Sequence, residues 1–436
     1  MPGVFQFALA EVTAEAQRAY DLGLQAVLLF GIPREKDEQA SAAFADPNRY
    51  GRSDRSPAAR WFWEIDRVLL LLLAILIGIG LVAVAAASPA VAERYSGGSV
   101  RVGSLHYFYR QILWIAVSLP VMIVISMLPR ERARRLSLAG AVVCVVALVA
   151  VPIIGPEING ARRWIGVGFT QFQPSEFLKP FFVIALAWLL SLRETDRGLP
   201  VFWLSGLLTG SIAVLLMRQP DFGSTIIFGA VWVAMLALGG VKLRTLGILA
   251  AIGVVGVVAA YLFYPVATTR IDAFLFGEGD TFQVDNAMRT LTAGGLFGMG
   301  PGGGTRKFGL PEPHTDYIFP VIGEEFGLIA CLAIALLYLA IVARVLVKLL
   351  DEENSFCILA GAGLVIQFGL QALINMAVNV KLAPSKGMTL PFISYGGSSM
   401  LALSIGMGLL LAFTRRNPYL ARSPYVVKWS GDWLPG

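Results

Sequence analysis

Long apolar runs separated by short polar turns dominate the pattern of hydrophobic and polar positions along this chain. A helix needs about 20 predominantly apolar residues to cross the hydrocarbon core of a bilayer. Ten runs approach or exceed that length, at residues 68–87, 111–128, 136–154, 174–192, 199–217, 222–240, 243–264, 317–343, 357–380 and 392–413. The pattern therefore predicts an all-α polytopic membrane protein with ten transmembrane helices.

Basic residues fill the turns on one side of this arrangement. They include Arg130, Arg132, Arg134, Arg135, Arg193, Arg197, Lys242, Arg244, Arg344, Lys348, Arg415 and Arg416. Because basic loops stay in the cytoplasm, we expect both termini to be cytoplasmic. The segment 265–316, between spans seven and eight, then becomes an extracytoplasmic loop. It is much longer than a connection requires, which is typical of functional loops.

Composition excludes several classes of protein. The 436 residues are 56% hydrophobic and 15% charged, whereas a soluble domain is about 25% charged. Three cysteines are too few for a disulfide scaffold, and two histidines do not suggest a His metal site. The net charge of +6 fits cytoplasmic loops better than nucleic-acid binding, because no basic stripe accompanies it.

The N-terminal 46 residues differ from the rest of the chain, because they combine an amphipathic helix pattern with a short apolar strand pattern. They resemble an early part of porphobilinogen synthase but lack the part where that family keeps its catalytic lysines and metal cysteines. A fragment of a barrel cannot close its sheet. We expect residues 1–50 to be an inert cytoplasmic segment or a gene-model artefact, followed by a membrane domain over 51–436.

Polar residues at the start of the fourth span are the first candidates for chemistry. Arg162 and Arg163 fall on the outer side, against the positive-inside rule, and a forked contact with an anion would explain them. Glu176 and Lys179 are spaced to pair on one helix face. A capped helix start with a local ion pair explains Glu176 equally well.

Two further outer turns contain candidate binding residues. Gln219 and Asp221 lie in a short turn, where the alternative is a plain turn with one ion pair. Lys386 and Ser394 lie where the chain enters the last span. Flexible glycine-rich backbone in the long loop formally matches GxGxxG, but no strand precedes it, so the match is not a nucleotide signature.

Acidic residues mark the start of the eighth span. Asp316 follows His314 at its mouth, and a helix N-cap is the structural alternative for Asp316. Glu324 and Glu325 lie about 12 Å deeper at 1.5 Å per residue. Carboxylates at that depth need a partner or a wet cavity, and structural pairing inside the bundle is the simpler explanation.

Four motifs in order then resemble the SEDS family (shape, elongation, division and sporulation), closest to its cell-division branch. They are NGARRWIGVGFTQFQPSEFLK, RQPDFGST, LPEPHTDYIFPVIGEEFG and PSKGMTLPFISYGGSS. The resemblance implies a peptidoglycan glycosyltransferase that polymerises lipid II at the division septum, with Asp316 as the catalytic base. The implied substrate-binding residues are Arg162, Arg163, Glu176, Lys179, Gln219, Asp221, His314, Lys386 and Ser394.

The resemblance also sets expectations for partners and location. It implies a class B penicillin-binding transpeptidase and other divisome membrane proteins as partners, in the bacterial inner membrane, with the active site on the periplasmic face. It implies no certain cofactor, and a divalent cation (Mg or Mn) is a candidate aid to the leaving group; the metal ligands are unknown. The alternatives are a lipid II flippase or transporter, and a non-catalytic divisome scaffold.

The N-terminal segment yields a first testable prediction. A chain starting near Pro47 should insert, fold and polymerise lipid II like the full chain, because the interfacial signals for insertion lie downstream, at Arg55, Arg60, Trp61, Trp63 and Arg67. Neither chain should have porphobilinogen synthase activity. Matched expression, thermal melts in detergent and a strand-synthesis assay test this. A truncated protein that is lost from the membrane, or is stable but inactive, would contradict it.

Overall fold

The computed structural model describes residues 61–62, 64–96, 101–158, 161–166, 171–196, 198–277 and 281–415. The predicted segment 1–50 and its boundary lie outside these residues. The helices are α1 (Arg67–Tyr95), α2 (His106–Ser126), α3 (Arg130–Ile154), α4 (Pro174–Thr195), α5 (Val201–Arg218), α6 (Phe222–Leu238), α7 (Leu243–Phe263), α8 (Pro265–Leu275), α9 (Phe282–Ala293), α10 (Ile318–Leu349), α11 (Ser355–Asn379) and α12 (Gly397–Thr414). Two strands of two residues each, β1 (Glu157–Ile158) and β2 (Ala161–Arg162), pair antiparallel.

The predicted all-α polytopic fold is confirmed. Each of the ten predicted apolar runs coincides with a helix, and nine helices in the described part of the chain are long and apolar enough to span a membrane. The other, α6, has 17 residues, so the count of ten spans stays a prediction. Helices suit this environment because every backbone hydrogen bond is made within the segment.

Several helix ends differ from the sequence expectation, and the end of the first span and the start of the last are two of them. The first span was expected to end at residue 87, but α1 continues through Pro89 to Tyr95. The last span was expected from residue 392, but α12 begins at Gly397. The apolar run before Gly397 forms turns instead, so hydrophobicity alone placed that helix start too early.

Helices α4, α11 and α12 form the centre of the bundle. α11 packs against α4 and α10, and α12 packs against α2, α4 and α11. Phe182 of α4 meets Phe228 of α6 edge-on at 4.9 Å between ring centroids. In contrast, none of the residues of α7 is buried, so its apolar surface faces away from the described bundle. The burial of α11 and α12 fixes the loops at their ends, where the candidate site lies.

Ion pairs join the ends of helices where the sequence predicts the cytoplasmic side. Asp66 caps α1 by accepting from the Leu69 amide at 3.1 Å, and its carboxylate contacts Arg344 at 3.1 Å and Lys348 at 3.4 Å. Arg130 pairs with Glu352 at 3.1 Å. These ion pairs therefore link the start of α1 to α10, and the start of α3 to the segment after α10.

The long segment 265–316 is largely ordered structure instead of an open loop. It contains α8, α9 and a short 3-10 turn (Arg306–Gly309). Its glycine-rich part docks onto α10 where Gly327, at φ +82°, interrupts the helix. The amides of Met299 and Gly300 donate to the Glu324 and Glu325 carbonyls at 2.9 and 3.0 Å. The Gly295 carbonyl accepts from the Leu328 amide at 3.0 Å on the other side of the break. The docked segment thus satisfies backbone groups that the broken helix leaves free.

Side chains of Glu324 and Glu325 complete this dock. Glu324 accepts from the backbone amides of Arg306 and Lys307 at 2.6 and 3.0 Å, and Glu325 accepts from the Gly302 amide at 3.1 Å. The Lys307 ammonium forms an ion pair with Glu325, and both side chains are at most 2% exposed. The structural-pairing explanation for these two deep carboxylates is therefore the one that the structure supports.

Two neighbouring glycines give a matched test of this dock. A Cβ at Gly298 would overlap the Glu325 carbonyl, whereas a Cβ at Gly300 would meet nothing within 4 Å. Both have positive φ, at +81° and +90°. Alanine at either position should cost about 1–3 kcal/mol of backbone strain, and Gly298→Ala should cost about 1–3 kcal/mol more through overpacking.

Thermal unfolding of the purified protein in detergent measures the difference. Gly300→Ala serves as the control for the shared strain. Equal losses of Tm for the two variants would contradict the close approach of the loop to α10.

Candidate active site

Asp316 lies just before α10, half-buried, with its backbone fixed from the neighbouring helix. The side-chain amides of Asn375 and Asn379 on α11 donate to the Asp316 carbonyl at 3.1 and 3.2 Å. The N-cap of α10 is Tyr317 and not Asp316, so the N-cap explanation for this aspartate is wrong. In the described residues no hydrogen bond or ion pair reaches the Asp316 carboxylate, which leaves it available.

The surroundings of this carboxylate favour its protonated form. Burial, followed by the charges of Glu312 and Glu176, raises the pKa of Asp316 to about 7, against an opposing effect of Lys386. A Cβ built on Gly387 would lie 2.9 Å from Asp316 Oδ2, so the carboxylate rests against the residue that follows Lys386. A carboxylate with a pKa near neutrality is suited to accept a proton.

Lys386 extends across the start of α6 to the neighbourhood of Asp221. Its aliphatic stem passes directly over Gly223, where a Cβ would overlap the Lys386 Cδ and Cε atoms. Its Nζ is buried and has no hydrogen-bond partner among the described residues. Burial lowers the pKa of Lys386 to about 7, against an opposing effect of Asp221. An ammonium in this state has unused donors for an anionic ligand.

The turn between α5 and α6 holds Asp221 and positions Arg163. Asp221 is the N-cap of α6 and accepts from the Ser224 amide at 3.1 Å. Burial opposes ionisation of Asp221, but Lys386 and Arg163 outweigh it and hold its pKa below the usual value. The Arg163 guanidinium donates to the carbonyls of Gln219, at 3.1 Å, and Pro220. The Arg163 guanidinium therefore binds two backbone carbonyls, and the forked contact with an anion stays a prediction.

The side chain of Gln219, by contrast, makes a hydrogen bond within the protein. Its amide nitrogen donates to the Leu148 carbonyl at 2.7 Å, and the residue is 3% exposed. It fixes the turn that carries Asp221 against α3.

Glu176 and Lys179 form the predicted pair at the start of α4. Pro174 is the first residue of α4 and Glu176 lies in its first turn. The Lys179 ammonium contacts Glu176 Oε1 at 2.6 Å and donates to Gln371 Oε1 at 3.2 Å. Gln371 in turn donates to the Thr389 carbonyl at 3.2 Å, three residues after Lys386. The pair therefore links α4 through α11 to the loop that carries Lys386.

His314 and Ser394 lie beside Asp316 and hold its segment in place. His314 stacks on Tyr395 at 5.1 Å and meets Tyr107 edge-on at 4.5 Å. Burial lowers the pKa of His314 to about 3, so it is neutral at physiological pH. The Ser394 hydroxyl donates to the Thr315 carbonyl at 2.6 Å and accepts from the Leu390 amide at 2.7 Å. Both residues therefore position the loops around Asp316.

Arg162 is set apart from the other candidates. It lies in β2, next to Arg163 in sequence, but donates to the Pro152 carbonyl at 3.3 Å and contacts Glu157 at 3.7 Å. It lines an open groove of about 310 Å³ together with Arg218 and Pro220. Arg162 and Arg163 therefore contact different parts of the protein, although they are adjacent in sequence.

Sequence reasoning missed the asparagines and the glutamine that support the site from α11. Asn375 and Asn379 are spaced four residues apart, and Gln371 lies four residues before Asn375, so all three share one helix face. A line of amides within an apolar run is a signal that could have been used, because polar groups inside a membrane span need partners.

The donor set gives limited support for a divalent cation. Within the described ranges, no three His, Cys, Asp or Glu residues gather as a candidate metal site. The three cysteines are buried and form no disulfide. Mg²⁺ is commonly held by only one or two carboxylates together with phosphates. The described side chains therefore do not form a divalent-cation site by themselves.

Comparison with known proteins places the chain in a family. Residues 66–419 match the family described as cell cycle protein, FTSW_RODA_SPOVE, and the chain belongs to it. A probable peptidoglycan glycosyltransferase FtsW of Caulobacter vibrioides is 36% identical over 370 residues, 85% of this chain and 94% of that protein. One of Coxiella burnetii is 33% identical over 373 residues, 81% and 98% of the two chains. The SEDS resemblance inferred from the four motifs is confirmed.

Solved structures agree with this assignment. A chain of a peptidoglycan synthase complex, studied for how it coordinates polymerisation and crosslinking, has a TM-score of 0.67 and 27% identity, covering 80% of this chain and 97% of its own. RodA of Thermus thermophilus, a rod shape determining protein, has a TM-score of 0.58 and 28% identity, covering 80% and 96%. Residues 1–56 match a second family, delta-aminolevulinic acid dehydratase, which is another name for porphobilinogen synthase.

The stem of Lys386 over Gly223 yields a test by double substitution. Gly223→Ala should displace Lys386 and destabilise the protein by about 1–3 kcal/mol, as overpacking does. In a Lys386→Ala background the same change should cost little, because the overlapping atoms are gone. Gly229→Ala on the same helix, where a Cβ meets nothing within 4 Å, is the control. Additive losses of Tm in detergent would show that Lys386 does not cross Gly223.

Proposed function

We propose that this multi-pass member of the FtsW and RodA family is a peptidoglycan glycosyltransferase that polymerises lipid II, with Asp316 as its general base. One observation supports this role above the others. The Asp316 carboxylate has no bonded partner among the described residues, has a pKa raised to about 7, and rests beside the unpartnered Lys386. The named relatives of similar length are probable peptidoglycan glycosyltransferases.

The reaction requires one base and a stabilised leaving group. The 4-hydroxyl oxygen of the acceptor sugar bonds to the anomeric carbon of the donor, while the bond from that carbon to the diphosphate oxygen breaks. The hydroxyl proton passes to Asp316, and undecaprenyl diphosphate leaves with the electron pair. A single inverting displacement of this kind needs no carboxylate nucleophile, unlike a retaining mechanism. Burial around Asp316 keeps its pKa matched to this task.

Cations near Asp316 stabilise the negative charge of the leaving diphosphate. Lys386 can donate to the diphosphate with its free ammonium, and Arg163, held by two backbone carbonyls, adds a fixed positive charge. Fixed charges of this kind stabilise developing negative charge without reorganising during the reaction. Lys179 is already paired with Glu176, so its role is to position the Lys386 loop through Gln371. Arg162, His314, Ser394 and Gln219 support the surrounding loops or an outer groove.

A transport function is less well supported by the same contacts. A polar pathway would require the deep charges to line a wet cavity. Glu324, Glu325 and Lys307 are instead paired with each other or with backbone amides, and are at most 2% exposed. A pure scaffold would have no reason to keep an unpaired lysine beside an available carboxylate.

Partner and location follow from the class of protein. We place the active site on the periplasmic face of the inner membrane at the division septum, with both termini in the cytoplasm, because the site lies at the end opposite the basic turns. A class B penicillin-binding transpeptidase is the proposed partner, consistent with the similar chain in a peptidoglycan synthase complex.

The base is tested by Asp316→Asn. The variant should fold and bind its partner, because Asn375 and Asn379 hold the backbone of residue 316 and not its side chain. It should lose strand synthesis by about a hundredfold or more, since an amide cannot take the proton. Purified protein with labelled lipid II, with and without the partner, gives the readout. Near-normal synthesis by the variant would reject the general base.

The pH profile is a second readout of the same prediction. Asp316 acts as a base only when ionised, and its pKa is about 7. The kcat/KM of the parent should therefore increase as the pH rises through this value. It should decrease at lower pH, where Asp316 is protonated. A rate that does not change across neutral pH would count against Asp316 as the titrating base.

A further inference from the structure

A second group of positive charges lies in the open groove at the ends of α3 and α5, apart from the residues around Asp316. The groove has a volume of about 310 Å³ and is lined by Pro152, Glu157, Ala161, Arg162, Arg218 and Pro220. Its two arginines come from different elements, β2 and the last turn of α5. Basic residues are uncommon in the outer loops of membrane proteins, so two arginines that share one outer groove need an explanation.

The charges in the groove do not cancel. Arg162 contacts Glu157 at 3.7 Å and donates to the Pro152 carbonyl at 3.3 Å. In the described part of the chain, no hydrogen bond or ion pair of the Arg218 guanidinium is present. Two cations thus share one carboxylate, which leaves the groove with one positive charge in excess. A place in the last turn of α5 is favourable for Arg218, but it does not explain why Arg162 lines the same groove.

The groove lies at the depth of lipid headgroups. α5 starts on the side of the basic turns and has 18 residues, so it is about 27 Å long at 1.5 Å per residue. The hydrocarbon core of a bilayer is about 30 Å thick. Arg218 at the end of α5 therefore reaches the outer edge of the hydrocarbon, next to the layer that contains the lipid phosphates.

Exposed apolar side chains continue from the groove towards the middle of the membrane. On α3, Ile153 follows the groove residue Pro152 and is 78% exposed, and Val149, one turn earlier, is also exposed. On α5, Val214 lies one turn before Arg218 on the same helix face and is 60% exposed. α3 packs against α5. The acyl chains of a lipid can cover these apolar residues while its phosphate occupies the groove.

We propose that the groove of Arg162 and Arg218 binds the headgroup of an anionic phospholipid from the outer leaflet. A phosphodiester carries one negative charge, which matches the excess charge of the groove, and a planar guanidinium can bind two phosphate oxygens in a fork. A zwitterionic phospholipid fits less well, because its cationic group would meet the same two arginines. The assignment does not depend on strand synthesis, since the ligand is a membrane lipid and not a substrate.

The bound lipid would also contact the turn that serves the candidate active site. Pro220 lines the groove, and its carbonyl accepts from Arg163. The next residue, Asp221, caps α6. Occupancy of the groove should therefore stabilise this turn, which gives the test a thermal readout.

The test adds phosphatidylglycerol or phosphatidylcholine, with identical acyl chains, to the delipidated full-length protein in detergent. Phosphatidylglycerol should raise the Tm of the parent more than phosphatidylcholine does at the same mole fraction, because a ligand of the native state stabilises it. Arg162→Gln and Arg218→Gln should each weaken the apparent affinity for phosphatidylglycerol by about fivefold, the effect of one arginine near an anionic lipid surface. Glu157→Gln should strengthen it, because the change removes a negative charge from the groove.

Matched variants separate the groove from general effects of charge. Arg289→Gln removes an exposed arginine of α9 that does not line the groove, and it should keep the preference for phosphatidylglycerol. Arg218→Lys should keep part of it, because a point charge replaces only part of a forked contact. The Tm of each variant without lipid reports misfolding. Glu157→Gln decides the test if an arginine variant does not fold, since its expected effect is a gain in affinity.

Several results would overturn the proposal. Equal Tm shifts with the two phospholipids would remove the charge preference, and an unchanged affinity in both glutamine variants would move the lipid elsewhere. An equal effect of orthophosphate at matched ionic strength would identify a site for free anions. Tighter binding of farnesyl diphosphate through Arg218, with displacement of phosphatidylglycerol, would assign the groove to a prenyl diphosphate instead.

Discussion

The desolvated Lys386 ammonium is the feature on which the organisation of the site depends. A buried charge without a hydrogen-bond partner is energetically unfavourable, so other contacts of the fold must hold it in place. Gly223 leaves room for its stem and Asp221 supplies the nearest opposite charge. The same position brings the loop of Lys386 against Asp316, whose pKa is raised by burial while the charge of Lys386 opposes that rise. A charge left unsatisfied by the protein is then available to a substrate.

A rigid frame is needed to maintain this arrangement. The interruption of α10 at Gly327 allows the segment before the eighth span to dock beside it, and Glu324 and Glu325 bind the backbone of that segment. These contacts fix the chain at Gly302, Arg306 and Lys307, in the segment that leads to Asp316. From the opposite side, amides of α11 hold the Asp316 carbonyl. Asp316 is thereby placed by backbone contacts, and no contact of this kind reaches its carboxylate in the described residues.

The charged residues divide into two groups with different tasks. Lys307 with Glu325, and Lys179 with Glu176, are satisfied pairs that join helices and loops. Lys386 has no such partner in the described part of the chain. Deep location alone therefore does not identify a functional charge in this protein. The hydrogen-bonding state of each group separates structural charges from those suited to bind substrate.

Hydrophobic periodicity by itself determined the all-α membrane fold, because an apolar run of span length has only a helix as its stable form in a bilayer. Local spacing also determined the pair of Glu176 and Lys179, since residues three apart meet on one helix face. The motifs around Asp316 and Lys386 were sufficient to indicate the family.

Only the tertiary structure decided what each polar residue does. Which carboxylate is satisfied and which is available depends on contacts across long sequence distances. Asn375 meets the Asp316 carbonyl from a different helix, and Gly223 lies under a lysine more than 160 residues further on, at position 386. Arg162 and Arg163 are neighbours in sequence, but the hairpin sends them to different surroundings.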